Sequence, residues 1–107
     1  MGNIRAIVKR ADEQYGHVTR ISNTLSNLQT QVGGYIECVT DPDGRFVILC
    51  DEEGRMKDKP YNCTVDFGPH RYRVSFVGDI IAVGMGEEDF ADLPEEITLK
   101  AWKEMLK

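Results

Sequence analysis

The tetrapeptide Asp41-Pro42-Asp43-Gly44, set between two strand-like runs at residues 35–40 and 45–50, limits the folds open to this chain more than any other feature. Proline at the second turn position presets φ near about −65°, and glycine at the fourth tolerates positive φ, as a type I turn closed by a G1 bulge requires. The two runs must therefore fold back on each other as an antiparallel hairpin. With Asp41 opposite Arg45, Ile36, Cys38 and Thr40 share a face with Phe46, Ile48 and Cys50. Cys38 then falls opposite Ile48 rather than Cys50, so no disulfide is expected across this hairpin.

Ile4, Ala6 and Val8 alternate with Arg5, Ile7 and Lys9, and residues 17–21 form a second β-branched stretch after a polar segment ending at Gly16. From Asn23 the period changes: Leu25, Leu28 and Val32 predict a helix over residues 23–32, capped by Ser22 or Asn23 and stopped at Gly33-Gly34. Residues 55–69 read as a long connection. Residues 71–77 and the apolar run 80–83 read as neighbouring strands near the sheet centre. A C-terminal helix over 94–107 is expected, with Asp92 as its cap and Ile97, Ala101, Trp102, Met105 and Leu106 facing inward. These elements make one α+β domain over residues 1–107, a mostly antiparallel sheet of about five strands with two helices packed on one face. Edge strands in so small a sheet could pair between subunits, which makes a homodimer an option.

Composition excludes several function classes. Thirteen basic against eighteen acidic residues give −5 at neutral pH, which argues against direct nucleic-acid or anionic-membrane binding. No apolar run approaches the roughly 18 residues of a membrane span, and the N-terminus lacks the pattern of a secretory signal, so a cytoplasmic protein is expected. Cys38, Cys50 and Cys63 show no CxxC spacing and read as reduced thiols. With His70 they lie too far apart in sequence for the usual zinc pairs, and no metal or cofactor is expected. His17 and His70 are the only neutral-pH bases, and neither sits in a catalytic motif, so no catalytic residue is assigned. Gly84-Met85-Gly86 follows an apolar strand but lacks a third glycine, and Glu87, Glu88 and Asp89 stand where a phosphate would need donors.

Two segments carry candidate binding chemistry. Glu87, Glu88, Asp89, Asp92, Glu95 and Glu96 place six carboxylates within ten residues, which is either a solvated surface or an acidic contact surface for a basic protein groove. Lys57, Lys59, Tyr61, Asn62 and Arg71 combine cations, a ring and an amide that could line an anionic-ligand site, or form an exposed loop pinned by its own hydrogen bonds.

Three stretches together point to a family: Leu25 to Gln29 with Val32-Gly33-Gly34-Tyr35-Ile36-Glu37; Asp51-Glu52-Glu53-Gly54-Arg55-Met56-Lys57 with Pro60 and Asn62; and Gly84 to Leu93 with Asp89-Phe90. The chain resembles domain of unknown function 3846, small domains of phages and mobile elements in bacteria. The resemblance implies a compact α+β fold with no established activity or cofactor, and carries over no catalytic residues. Small proteins in that setting often block host machinery. Three functions fit these residues and that setting: an inhibitor of a host defence protein, such as an RNA-guided nuclease, acting through the acidic surface; a sponge for a nucleotide immune signal; and a small enzyme.

Overall fold

The computed structural model describes residues 2–68 and 72–107. The first hairpin joins β1 (Asn3–Lys9) to β2 (His17–Ser22), and Gly16 turns with φ of 91°. Helix α1 (Leu25–Val32) follows and ends at Gly33 in the left-handed region. Its cap is Thr24, whose hydroxyl accepts from the Asn27 amide at 3.2 Å, and not Ser22 or Asn23. Ser22 is still in β2, and the Asn23 side chain is spent on the Phe90 carbonyl at 2.9 Å. Leu28 and Val32 are buried, whereas Leu25 stays exposed.

The turn-coded hairpin forms from β3 (Ile36–Thr40) and β4 (Val47–Asp51), one register step from the expected pairing. The Asp41 carboxylate accepts from the Arg45 amide at 3.1 Å and holds its guanidinium at 2.9 and 3.0 Å. Arg45 is thereby kept in the loop, and Asp41 pairs with Phe46 instead. Cys38 consequently opposes Leu49, and Ile36, Cys38 and Thr40 share their face with Val47 and Leu49. Cys50 opposes Glu37 and projects from the other face, so the two thiols stand on opposite sides of the sheet.

Part of the expected connection is a strand. β5 (Tyr61–Asp66) pairs with β6 (Arg73–Val77) as a separate two-stranded ribbon, so β6 does not join the main sheet beside β7 (Ile80–Met85). Only Cys63 and Val65 alternate inward on β5, too little apolar signal to mark it in sequence. Gly78, with φ of 71° and its amide on the Pro60 carbonyl at 2.8 Å, turns the chain out of the ribbon. β7 then enters the main sheet in the order β2-β1-β7-β4-β3, and β8 (Phe90–Ala91) pairs with the end of β7. Among the described residues the main sheet therefore has six strands rather than about five, and every pairing is antiparallel.

β1, β4 and β7 are apolar on both faces, and one layer cannot cover both. Val8, Leu49, Ile81 and Val83 pack with Leu28 and Val32 of α1. On the other face Ile7, Ile48 and Ala82 pack with Phe76 of the ribbon and with Trp102 of α2 (Leu99–Met105). The two helices thus contribute to different cores, not to one face. α2 is also shorter than expected and is capped by Thr98, whose hydroxyl accepts from Ala101. Asp92 cannot serve as that cap because its carboxylate accepts the Arg5 amide at 2.7 Å. The Arg5 guanidinium meanwhile takes the carbonyls of Leu93, Pro94 and Ile97, holding residues 93–97 outside the helix.

Candidate functional site

The acidic stretch is divided among different settings. Glu87, Glu88 and Asp89 are exposed at the tip between β7 and β8, where the Gly86 amide donates to the Asp89 carbonyl at 2.8 Å. Met85, 55% exposed, borders with Glu88, Asp89 and Phe90 a shallow hollow of about 240 Å³. Asp92 ties the tip to the sheet through Arg5 and lies 3.6 Å from Arg20. Glu95 is exposed, and Glu96 lines a separate cavity of about 520 Å³ with Arg45, Asp66, Phe67, Met105 and Lys107.

The tip is held from beneath. Arg5 binds three carbonyls just after it, the Leu93 amide donates back to the Arg5 carbonyl at 2.8 Å, and Asn23 holds Phe90. Gly84 lets β7 run directly against the Asp92 carbonyl, where any Cβ would collide with backbone. Gly84→Ala is expected to cost about 2 kcal/mol in urea unfolding through overpacking. A loss below about 0.5 kcal/mol would mean that the tip yields and is not held rigid.

The basic loop is occupied by its own protein. Lys57 and Lys59 reach the buried Asp51 carboxylate at 2.9 and 2.7 Å, and Lys59 also donates to the Val32 carbonyl at the end of α1, at 2.8 Å. Burial pushes the Asp51 carboxyl up, but hydrogen bonds from Lys59, Lys57 and the Glu53 amide outweigh it and hold it at about 2. An anion arriving here would have to displace Asp51. Asn62 is buried, donating to the carbonyls of Lys9 at 2.9 Å and Gly78 at 2.7 Å and accepting from the Lys9 ammonium at 2.6 Å. Tyr61 points outward, its hydroxyl 2.6 Å from that of Thr64. Arg71 and His70 lie outside the described residues. Lys57 and Lys59 are therefore brought together on Asp51, and Tyr61 and Asn62 are separated from each other.

Sequence reasoning missed Asp51, Lys9 and Arg5, which organise these regions. Lys9 falls on the solvent phase of the β1 alternation, and Asp51 opens an Asp-Glu-Glu-Gly run indistinguishable from an exposed turn. The parity shared by Lys9 and Ile7 was the available signal for the first.

Cys50 and Cys63 are buried, and desolvation pushes both thiols up to about 11, away from thiolate chemistry. Cys38 is exposed on β3, and its thiol is also raised, by desolvation and by neighbouring Glu37. His17 Nδ1 lies 2.9 Å from a Glu13 carboxylate oxygen. Among the described residues, no three His, Cys, Asp or Glu side chains converge to hold a metal, and no helix is long and apolar enough to cross a membrane.

Fold and surface together define a small α+β domain whose central sheet is covered on both faces and whose polar residues are largely engaged in holding it together. The chain belongs to the family described as Domain of unknown function (DUF3846), which matches residues 4–107 and so takes in essentially the whole fold. No curated protein and no solved structure matches it.

Proposed function

We propose that the protein is a non-enzymatic binding protein of phage or mobile-element origin that inhibits a cytoplasmic host defence protein, such as an RNA-guided nuclease. It does so by docking its acidic β7–β8 tip into a positively charged channel. The observation that carries this reading is the mounting of Glu87, Glu88 and Asp89: exposed carboxylates on a turn held by Arg5, Asn23 and the Gly84 contact. Charge on a preorganised support loses little entropy on binding and steers encounter with a cationic groove. The net charge of −5 acts in the same direction.

The test is inhibition of DNA cleavage by a guide-loaded nuclease, comparing the wild type with Glu87→Lys/Glu88→Lys. Asp92 is left intact because it holds Arg5. The variant is expected to inhibit about tenfold more weakly or worse, with an unchanged melting temperature, and wild-type inhibition should weaken as salt rises. Equal inhibition by the two proteins, or none by the wild type across a panel of such nucleases, would reject the reading.

A further inference from the structure

β3 is the terminal strand of the main sheet, and its outer edge is open. The Asp41 amide donates to the Phe46 carbonyl and the Glu52 amide to that of Tyr35, so the residues at this parity exchange hydrogen bonds with β4. Antiparallel ladders alternate, and the N–H and C=O groups of Ile36, Cys38 and Thr40 therefore point away from the sheet. Among the described residues, no backbone group pairs with them. Natural edges are usually blunted by charged side chains, above all lysine, by proline or by a bulge. β3 carries no lysine, proline or bulge; its sequence is Ile-Glu-Cys-Val-Thr, and Glu37 is its single charge.

We infer that this edge pairs with the same edge of a second copy, joining two main sheets into one continuous antiparallel sheet about a two-fold axis at Cys38. The side chains and the turn select that register. An axis at Glu37 would set Glu37 against the partner's Glu37, and like charges directly opposite are destabilising. An axis at Val39 would set Ile36 against the partner's Pro42, which has no N–H to exchange. An axis at Cys38 sets Glu37 against the partner's Val39, Ile36 against the partner's Thr40, and Cys38 against the partner's Cys38. Every outward-facing residue then meets another outward-facing residue. On the ribbon side, a hollow of about 230 Å³ lined by Glu37, Val39, Arg55, Val74 and Phe76 leaves room for the partner's Val39. The alternative edge, β2, carries Arg20 near its centre.

Sedimentation over the micromolar range tests the assignment. The wild type is expected to reach twice the 12.1 kDa mass of one chain. Cys38→Glu and Cys38→Lys, each at an exposed position, should weaken self-association about tenfold. An equimolar mixture of the two should recover it, because opposite charges then face each other across the axis. Circular dichroism confirms that each variant is folded. Independently of any variant, a short bis-maleimide should link wild-type chains through Cys38, since Cys50 and Cys63 are buried. A wild type that stays at one-chain mass overturns the proposal, including the case in which the edge instead takes an extended peptide of another protein. A dimer that persists unchanged in both charged variants overturns it as well, because the contact then lies elsewhere.

Discussion

Trp102→Ala is expected to lower the unfolding free energy by about 4 kcal/mol, within the range for emptying a fully buried aromatic site. Trp102 has no exposed surface and packs in the core that joins β1, β4 and β7 to the ribbon. Its indole N–H donates to the Tyr15 carbonyl at 2.8 Å, in the loop between β1 and β2. The Lys103 ammonium lies 4.6 Å from the centre of the Tyr15 ring and closes the same contact from outside. One side chain therefore fills the second core and pins the short α2 to the first hairpin. For a domain of this size the melting temperature should fall by roughly 20 °C. Trp102→Phe keeps most of the apolar volume, loses the hydrogen bond, and should cost about half as much. Urea denaturation of the three proteins measures the series. An alanine variant within about 1 kcal/mol of wild type would show that α2 is an appendage and not part of the core.

The second large effect is acid sensitivity centred on Asp51. Its carboxyl lies at about 2 in the folded protein against an ordinary value of 3.8, so the unfolded chain takes up the proton first as pH falls. The stabilisation is therefore fully present above about pH 4 and is lost as pH drops through about 2. A difference of this size corresponds to about 2 kcal/mol. Asp41, buried and held by Arg45, is lowered as well and adds to the loss in the same direction. The Lys57 contact is open to solvent and screened, so the weight falls on the more enclosed Lys59. Asp51→Asn should lose about 2 kcal/mol at neutral pH and show a flatter acid limb between pH 4 and pH 2 when urea midpoints are compared. An identical acid limb in both proteins would mean that the Asp51 cluster does not form in solution.

The β3–β4 hairpin and the end of α1 at Gly33 were foreseeable because a turn or a cap is decided by a few neighbouring residues. The pairing within that hairpin was not, because the grip of Asp41 on Arg45 moved the register by one residue and exchanged the faces of Ile36, Cys38 and Thr40. The acidic stretch was visible as composition. Its division into a solvent-facing tip, a structural Asp92 and a cavity-lining Glu96 was not, because Arg5, some ninety residues away in sequence, performs the sorting. Lys57 and Lys59 looked like free cations for the same reason: Asp51 and the end of α1 reach them only in the folded molecule.

The sequence by itself determined the fold class, the turn-coded hairpins, the helix stop and membership of a family, all of which rest on short-range backbone preference or on residue pattern. Tertiary structure alone decided that α1 and α2 serve different cores, that β5 and β6 leave the main sheet as a ribbon, and which charges remain for a partner. The physical reason is that β1, β4 and β7 are apolar on both sides. Covering two faces is a problem of the whole chain, and its solution places the polar residues wherever a buried carbonyl or carboxylate needs them.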